Sequence, residues 1–369
     1  MALPLSVPDA SFSDSLVREP EGCPMRSWLV DVNGLILIPF VCSLAQAQTA
    51  GPGLGGSSVA QSQTDGPQSG SEANDPSSAE DSDNEREYVR IRRNDRRLAV
   101  ALETSIIRFA DSKKYPGTTV DLVGAIHLGE TQYYDQLNEI FKQYDRLLFE
   151  AVMPEQAVRL GMRPGIGRKG RNRLSDEDEW TEAKVGLQAI SVLQLGMKDA
   201  LGLDFQLSAI DYGGSNFVHA DMTQEEFERS MARRGETFSQ ILAREMGKAA
   251  MQQQKVNPLA QQLDLVMSLL ASDRVYRVRR IAAAELSKAN AGDAFAGYDG
   301  ASTIITERNQ KVMEVLRREL GQKYKKIGIF YGAGHFPHME PLIVDEFGYK
   351  RESEQWLTAW KLRESVAGN

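Results

Sequence analysis

Cysteine is nearly absent from this chain of 369 residues. Cys23 and Cys42 sit near the N-terminus, and none follows. That excludes a disulfide scaffold, a cysteine-ligated zinc centre and a thiol nucleophile from the body of the protein. A basic stripe is missing too: 43 Lys and Arg are outnumbered by 51 Asp and Glu, for a formal charge of −8. Nucleic acid is therefore not an expected partner. Histidine is scarce as well, with His127, His219, His335 and His338 alone, so any pattern among the four is easy to weigh. The length suffices for two ordinary domains or one larger α/β domain with a sizeable core.

The N-terminal part reads as a leader. From Met25, Arg26 gives a short positive start, 35–44 (LILIPFVCSL) is apolar, and Ala45-Gln46-Ala47 offers a small-residue cleavage site. The apolar run falls short of the roughly 20 residues a bilayer span needs, so the mature chain is expected to have no transmembrane helix. The expectation is an extension and signal peptide over 1–47, translation from Met25, cleavage after Ala47, and a secreted or periplasmic protein. The competing reading of 35–44 is a short buried strand. Residues 48–87 are rich in Gly, Ser, Pro, Gln and acids with almost no large apolar side chain, which predicts a disordered linker.

One folded domain is expected over 88–369. Tyr88–Ile91 and Leu98–Phe109 read as a hairpin about a polar turn. Thr118–Ile126 is a continuous apolar run, as in a strand buried on both faces. Tyr134, Leu137, Ile140 and Phe141 are spaced for a helix over 131–144, and 145–150 (DRLLFE) reads as a further strand. Strand, helix, strand in that order predicts a parallel sheet. The Gly-rich basic stretch 159–173 reads as a solvated loop or an anion contact. The run 180–201 reads as helix and 205–211 (FQLSAID) as a third strand. Thr223 followed by Glu225 and Glu226 marks a helix start, opening a helical insertion over about 223–291. A helix over 303–320 and a strand over 326–331 complete a mainly parallel mixed sheet flanked by helices.

Two of the four histidines share a context. Gly124-Ala125-Ile126-His127 and Gly332-Ala333-Gly334-His335 both read G-A-x-H after an apolar strand. Two other expected strands end in Glu150 and Asp211. In open parallel sheets ligands bind beyond the carboxyl ends of the strands, where small residues leave room and helix N-termini point inward. Two imidazoles and a carboxylate suit a divalent metal with an open position, so His127, His335 and Glu150 are the candidate ligands. Several divalent ions would suit such mixed donors. Each residue also has a structural alternative: a hydrogen-bonded histidine, a capping Glu150, or an Asp211 that shapes the turn at Gly213-Gly214. Glu130 either shares the His127 face or favours a helix N-terminus. His338 is a solvent-facing side chain or a third nitrogen ligand, and His219 has no assigned role.

The sequence resembles the TraB/GumN/Tiki family in Leu122-Val123-Gly124-Ala125-Ile126-His127, in Leu147-Leu148-Phe149-Glu150, and in Tyr331-Gly332-Ala333-Gly334-His335-Phe336. Glu307-Arg308-Asn309 resembles an Arg-Asn pattern facing the site, and Trp356 and Trp360 resemble the closing segment. The resemblance spans about 98–360. It implies an α/β fold with His127, Glu150 and His335 at one site, used in one branch for metal-dependent peptide hydrolysis with manganese or cobalt. Zinc suits the same donors. It further implies Arg308 as the group that meets substrate or transition-state charge. Apart from the resemblance, Asp211 or Glu130 is expected to orient or deprotonate the water. Pro337 and His338 depart from the small residues usual after the second motif. The expected substrate is a peptide or small molecule. The alternatives are a non-catalytic peptide binder and a metal-independent, histidine-based esterase.

Overall fold

A computed structural model of the chain describes residues 86–164, 201–237, 273–288 and 302–364, with single positions at 240 and 243. The leader, its cleavage point, nearly all of the linker, the basic run from 165 onward, the expected helix over 180–200 and most of the insertion lie outside the described residues.

The sheet is mixed and mostly parallel, flanked by helices. Strand β1 (Val89–Arg93) pairs antiparallel with β2 (Ala99–Ala110), the expected hairpin. Next come β3 (Thr119–Ala125), the two-residue β4 (Leu128–Gly129) and helix α1 (Thr131–Phe141). Strand β5 (Arg146–Phe149) is followed by the short helix α2 (Glu155–Arg159). The third expected strand is corrected. Only Asp204–Phe205 is extended, as β6 pairing with β4, and Gln206–Ala209 turns into a short helix, α3. The strand that joins the main sheet is β7 (Phe217–His219).

Helix α4 (Gln224–Arg234) starts where expected: Thr223 Oγ1 accepts from the Glu226 N–H while the Glu226 side chain accepts from the Thr223 N–H. It stops at Gly235, whose φ of 64° suits glycine. Helix α5 (Arg274–Lys288) lies in the expected insertion. A π-helical turn (Thr303–Glu307) leads into α6 (Arg308–Leu320), then β8 (Lys326–Gly332), a 3-10 turn (Ala333–His335), α7 (Phe336–Phe347) and β9 (Lys350–Lys361). No helix among the described residues is long and apolar enough to cross a membrane.

The main sheet runs β1-β2-β3-β8-β5-β7, with β9 along the other edge of β2. Strands β3, β8, β5 and β7 are parallel neighbours. Covered on both faces, β3, β5 and β8 carry the apolar core, with Leu122, Val123, Leu147, Leu148, Ile329 and Phe330 all buried. Four chains therefore leave the sheet side by side at one end.

Candidate functional site

Those four exits carry the candidate site residues. His127 lies two residues beyond β3, His335 three beyond β8, Glu150 directly after β5, and Asp221 two after β7. All four are buried. The first glycine of each motif has a physical reason at one position: a Cβ on Gly124 would lie 2.9 Å from the Ser105 carbonyl oxygen of the neighbouring strand. Glycine there lets β2 and β3 approach at the root of the His127 loop.

Arg308, the first residue of α6, enters this ring of strand ends from the side and is fully buried. Its Nε and Nη2 grip Asp221 at 2.9 and 2.6 Å, and Nη2 also donates to Glu150 Oε1 at 2.6 Å. Its Nη1, equally buried, finds no acceptor among the described residues. A buried donor of this kind costs about 1–3 kcal/mol unless something binds it, so it is a contact held in reserve.

Glu150 is surrounded by positive charge and donors. Oε2 accepts the Gly332 N–H at 2.6 Å, and Oε1 lies 3.2 Å from His335 Nε2. Burial pushes its carboxyl up, but the charges of Arg308, His335 and His127 and the His335 hydrogen bond outweigh that and hold it well below the usual range. For Arg308, burial pulls downward and the Asp221 and Glu150 carboxylates more than restore it, so the guanidinium stays charged. Because the folded Glu150 pKa lies below its ordinary 4.5, its contribution to stability is present above that value and lost as pH falls through the folded one. We expect the urea midpoint of the wild type to fall steadily below about pH 4.5, and that of Glu150→Gln to fall less steeply over the same range.

His335 has a defined tautomer. Asn309 Nδ2 donates to the His335 carbonyl at 3.0 Å and meets His338 Nδ1 at 3.1 Å, so its Oδ1 must be the atom 2.6 Å from His335 Nδ1. An amide oxygen only accepts, and the proton therefore sits on Nδ1. A neutral His335 would then point the Nε2 lone pair at a carboxylate oxygen. Only a cation at Nε2, a proton or a metal ion, makes that approach favourable. Committing the second ring nitrogen to a neighbouring oxygen is also how metal-bound imidazoles are held.

The donor set thus suits a divalent ion in kind and tautomer: one imidazole with Nε2 presented, one carboxylate, and a second imidazole, His127, near enough to act on Glu150 electrostatically. The spacing is a different matter. Among the described residues no three His, Cys, Asp or Glu side chains are gathered as a metal group.

Not every expected residue joins the cluster. Asp211 is exposed at a turn, its Oδ1 accepting from Gly213 N–H at 2.9 Å and its own N–H donating to Asn138 at 3.0 Å. Its place among the strand ends is taken by Asp221, because β7 and not 205–211 is the fourth parallel strand. Glu130 pairs with Arg279 at 2.7 Å and accepts from the Lys361 N–H at 3.1 Å, a tether rather than a site group. His338 is half-buried beside Asn309, and His219 makes its bond through Nε2 to the Ala151 carbonyl at 2.7 Å. Asp221 escaped the sequence reading; it stands two residues past β7, as His127 stands two past β3.

An α/β sheet with two G-A-x-H histidines, a glutamate and a buried arginine converging at its carboxyl end defines a specific class of site. A family model for the TraB/PrgY/gumN family matches residues 112–343, more than half of the chain, and the protein belongs to that family. No curated protein and no solved structure matches.

Proposed function

We propose that the protein is a secreted or periplasmic hydrolase that cuts a peptide bond and uses a divalent metal ion (manganese, cobalt or zinc) held by His127, Glu150 and His335. The observation that carries the reading is the Asn309-fixed tautomer of His335, which turns Nε2 toward Glu150. A metal bound there would polarise the scissile carbonyl and ease deprotonation of water. The chain's own groups have separate tasks. Asn309 orients His335, and the Gly332 N–H with Arg308 keeps Glu150 ionised. Arg308, steadied by Asp221, offers Nη1 to the oxyanion that develops on the carbonyl oxygen. Export rests on the leader-like segment before residue 48.

A second reading is favoured by the absence of a gathered metal group among the described residues. In it a proton occupies His335 Nε2, and Glu150 orients that imidazole for acid–base work without metal. Metal titration of the full chain separates the two. We expect about one equivalent of manganese, cobalt or zinc per chain, lost in His127→Ala and in His335→Ala with the circular dichroism spectrum unchanged. Failure of the wild type to take up any of the three would remove the metal and leave the proton reading. Absence of turnover on a peptide library by the loaded protein would leave a peptide binder.

A further inference from the structure

The first two residues of α6 divide the cluster between them. Arg308 holds the carboxylates, and Asn309 meets two imidazoles. Asn309 is fully buried, so water cannot complete its hydrogen bonds. Its amide has three partners. Nδ2 lies 3.0 Å from the His335 carbonyl oxygen and 3.1 Å from His338 Nδ1, and Oδ1 lies 2.6 Å from His335 Nδ1. His335 closes the 3-10 turn, and His338 stands in the first turn of α7.

Of those partners only the carbonyl has a fixed role, since it accepts and never donates. The amide nitrogen must therefore face it. Turned over, the amide would set two oxygens against each other at 3.0 Å with no hydrogen between them. One N–H of Nδ2 is spent on the carbonyl, and the other is left for His338 Nδ1, which must receive it with a lone pair. On the opposite side Oδ1 accepts, so His335 Nδ1 carries a proton. An imidazole keeps at least one N–H, and with Nδ1 bare that of His338 sits on Nε2. One buried amide thus puts the Nδ1 proton on one ring and denies it to the other.

We infer that Asn309 is a positioning residue for both rings, and that it keeps His338 out of the metal set by leaving His335 as the one imidazole of this segment with Nε2 open to a cation. His338 Nδ1 has its lone pair taken by Asn309, and its Nε2 carries the hydrogen. The third nitrogen ligand that the sequence allowed is thereby removed. An amide rather than a carboxylate at position 309 makes the difference. Aspartate would accept from both rings, draw a proton to Nδ1 of each and present two bare Nε2 atoms. The inference takes its functional meaning from the proposed cation site. The tautomers themselves do not depend on it, because His335 Nδ1 is protonated whether Nε2 holds a metal or a proton.

The test is heteronuclear NMR of the ring nitrogens in the full, metal-free chain, whose four histidines allow assignment by His335→Ala and His338→Asn. In the wild type, His335 Nδ1 and His338 Nε2 should carry protons while His338 Nδ1 is bare. Asn309→Asp should bring a proton to His338 Nδ1 and leave His335 Nδ1 as it was. Because that variant buries a carboxylate, His338→Asn and His338→Leu supply a second comparison at a half-buried position. The two are similar in size, but asparagine offers an oxygen where Nδ1 accepted and leucine offers nothing. Solvent exchange of the His335 Nδ1–H should match the wild type in His338→Asn and quicken about tenfold in His338→Leu, the effect of one lost hydrogen bond. A protonated His338 Nδ1 in the wild type, a folded Asn309→Asp with His338 unmoved, or equal exchange in the two His338 variants overturns the inference. So does metal uptake by the wild type that His338→Asn abolishes. If the wild type takes up no metal while the NMR results hold, the metal reading fails and the positioning by Asn309 stands.

Discussion

Replacing Arg308 by methionine is expected to lower the free energy of unfolding by about 3–5 kcal/mol, the usual cost of breaking a buried ion pair from one side. The side chain is fully buried, so solvent cannot step in for it. Three charge-assisted hydrogen bonds vanish at once, and the carboxylates of Asp221 and Glu150 are left behind. Lysine keeps the charge but lacks the planar fork that addresses both oxygens of Asp221, so Arg308→Lys should recover only part of the loss. Denaturant unfolding checks both. A double-mutant cycle gives the sharper test: Glu150→Gln should cost less in the Arg308→Met background than in the wild type, because part of what it removes is already gone. Equal costs in the two backgrounds would mean that Arg308 and Glu150 are not coupled as the 2.6 Å contact implies.

Trp360→Ala is expected to cost about 3–5 kcal/mol through lost packing and the cavity left behind. Trp360 is fully buried at the end of β9, and its indole N–H donates to the Leu128 carbonyl at 2.6 Å. Leu128 follows His127. The adjacent Ala359 carbonyl accepts the Glu130 N–H at 3.0 Å, while Tyr134 Oη donates to the Ile126 carbonyl and Gln206 N–H to that of His127, each at 2.9 Å. The His127 loop is thus held carbonyl by carbonyl. Hydrogen exchange should show amides 126–130 opening more readily in Trp360→Ala, beyond the general loss of stability. Trp360→Phe retains most of the volume and loses only the indole donor, so it should show the same local opening at a cost of about 1–2 kcal/mol. Exchange at 126–130 that merely tracks β3 in both variants would mean the indole contact does not govern the loop.

The parts of the fold that announced themselves were those where one signal dominates. Strand β3 and strand β8 are apolar runs buried on both faces, α1 has a clean buried stripe, and the Thr223–Glu226 box fixes the start of α4. The parts that stayed hidden lack such a signal or carry a misleading one. Strand β7 is three residues long, too short for any alternation. Residues 205–211 look extended, but Phe205 is taken by β4 and the chain then turns at once. Helix α7, to which the sequence analysis gave no element, contains Pro337 and Pro341: Pro337 sits in the first turn where its missing N–H is unneeded, and Pro341 forfeits one bond. Strand β9 is highly charged because its first half is an exposed edge, and only its second half is buried. For the site, the repeated G-A-x-H context and the strand-end glutamate were legible. Asp221 was not, since β7 is too short to mark its strand end and the arginine that Asp221 holds lies 87 positions later.

The order of strands in space is not the order in which they are made. Strand β8, with His335 beyond it, lies between β3 and β5, which precede it by some two hundred positions. A nascent chain that has already emitted His127 and Glu150 cannot lay them side by side until the central strand arrives, and Arg308 comes only shortly before it. Every earlier intermediate therefore carries the acid without its counter-ions and two strands without the neighbour that joins them. Folding dominated by such distant pairings is slow, and it completes late. That timing has a consequence of its own: truncated or half-made molecules hold the parts of the candidate site but never the assembled site.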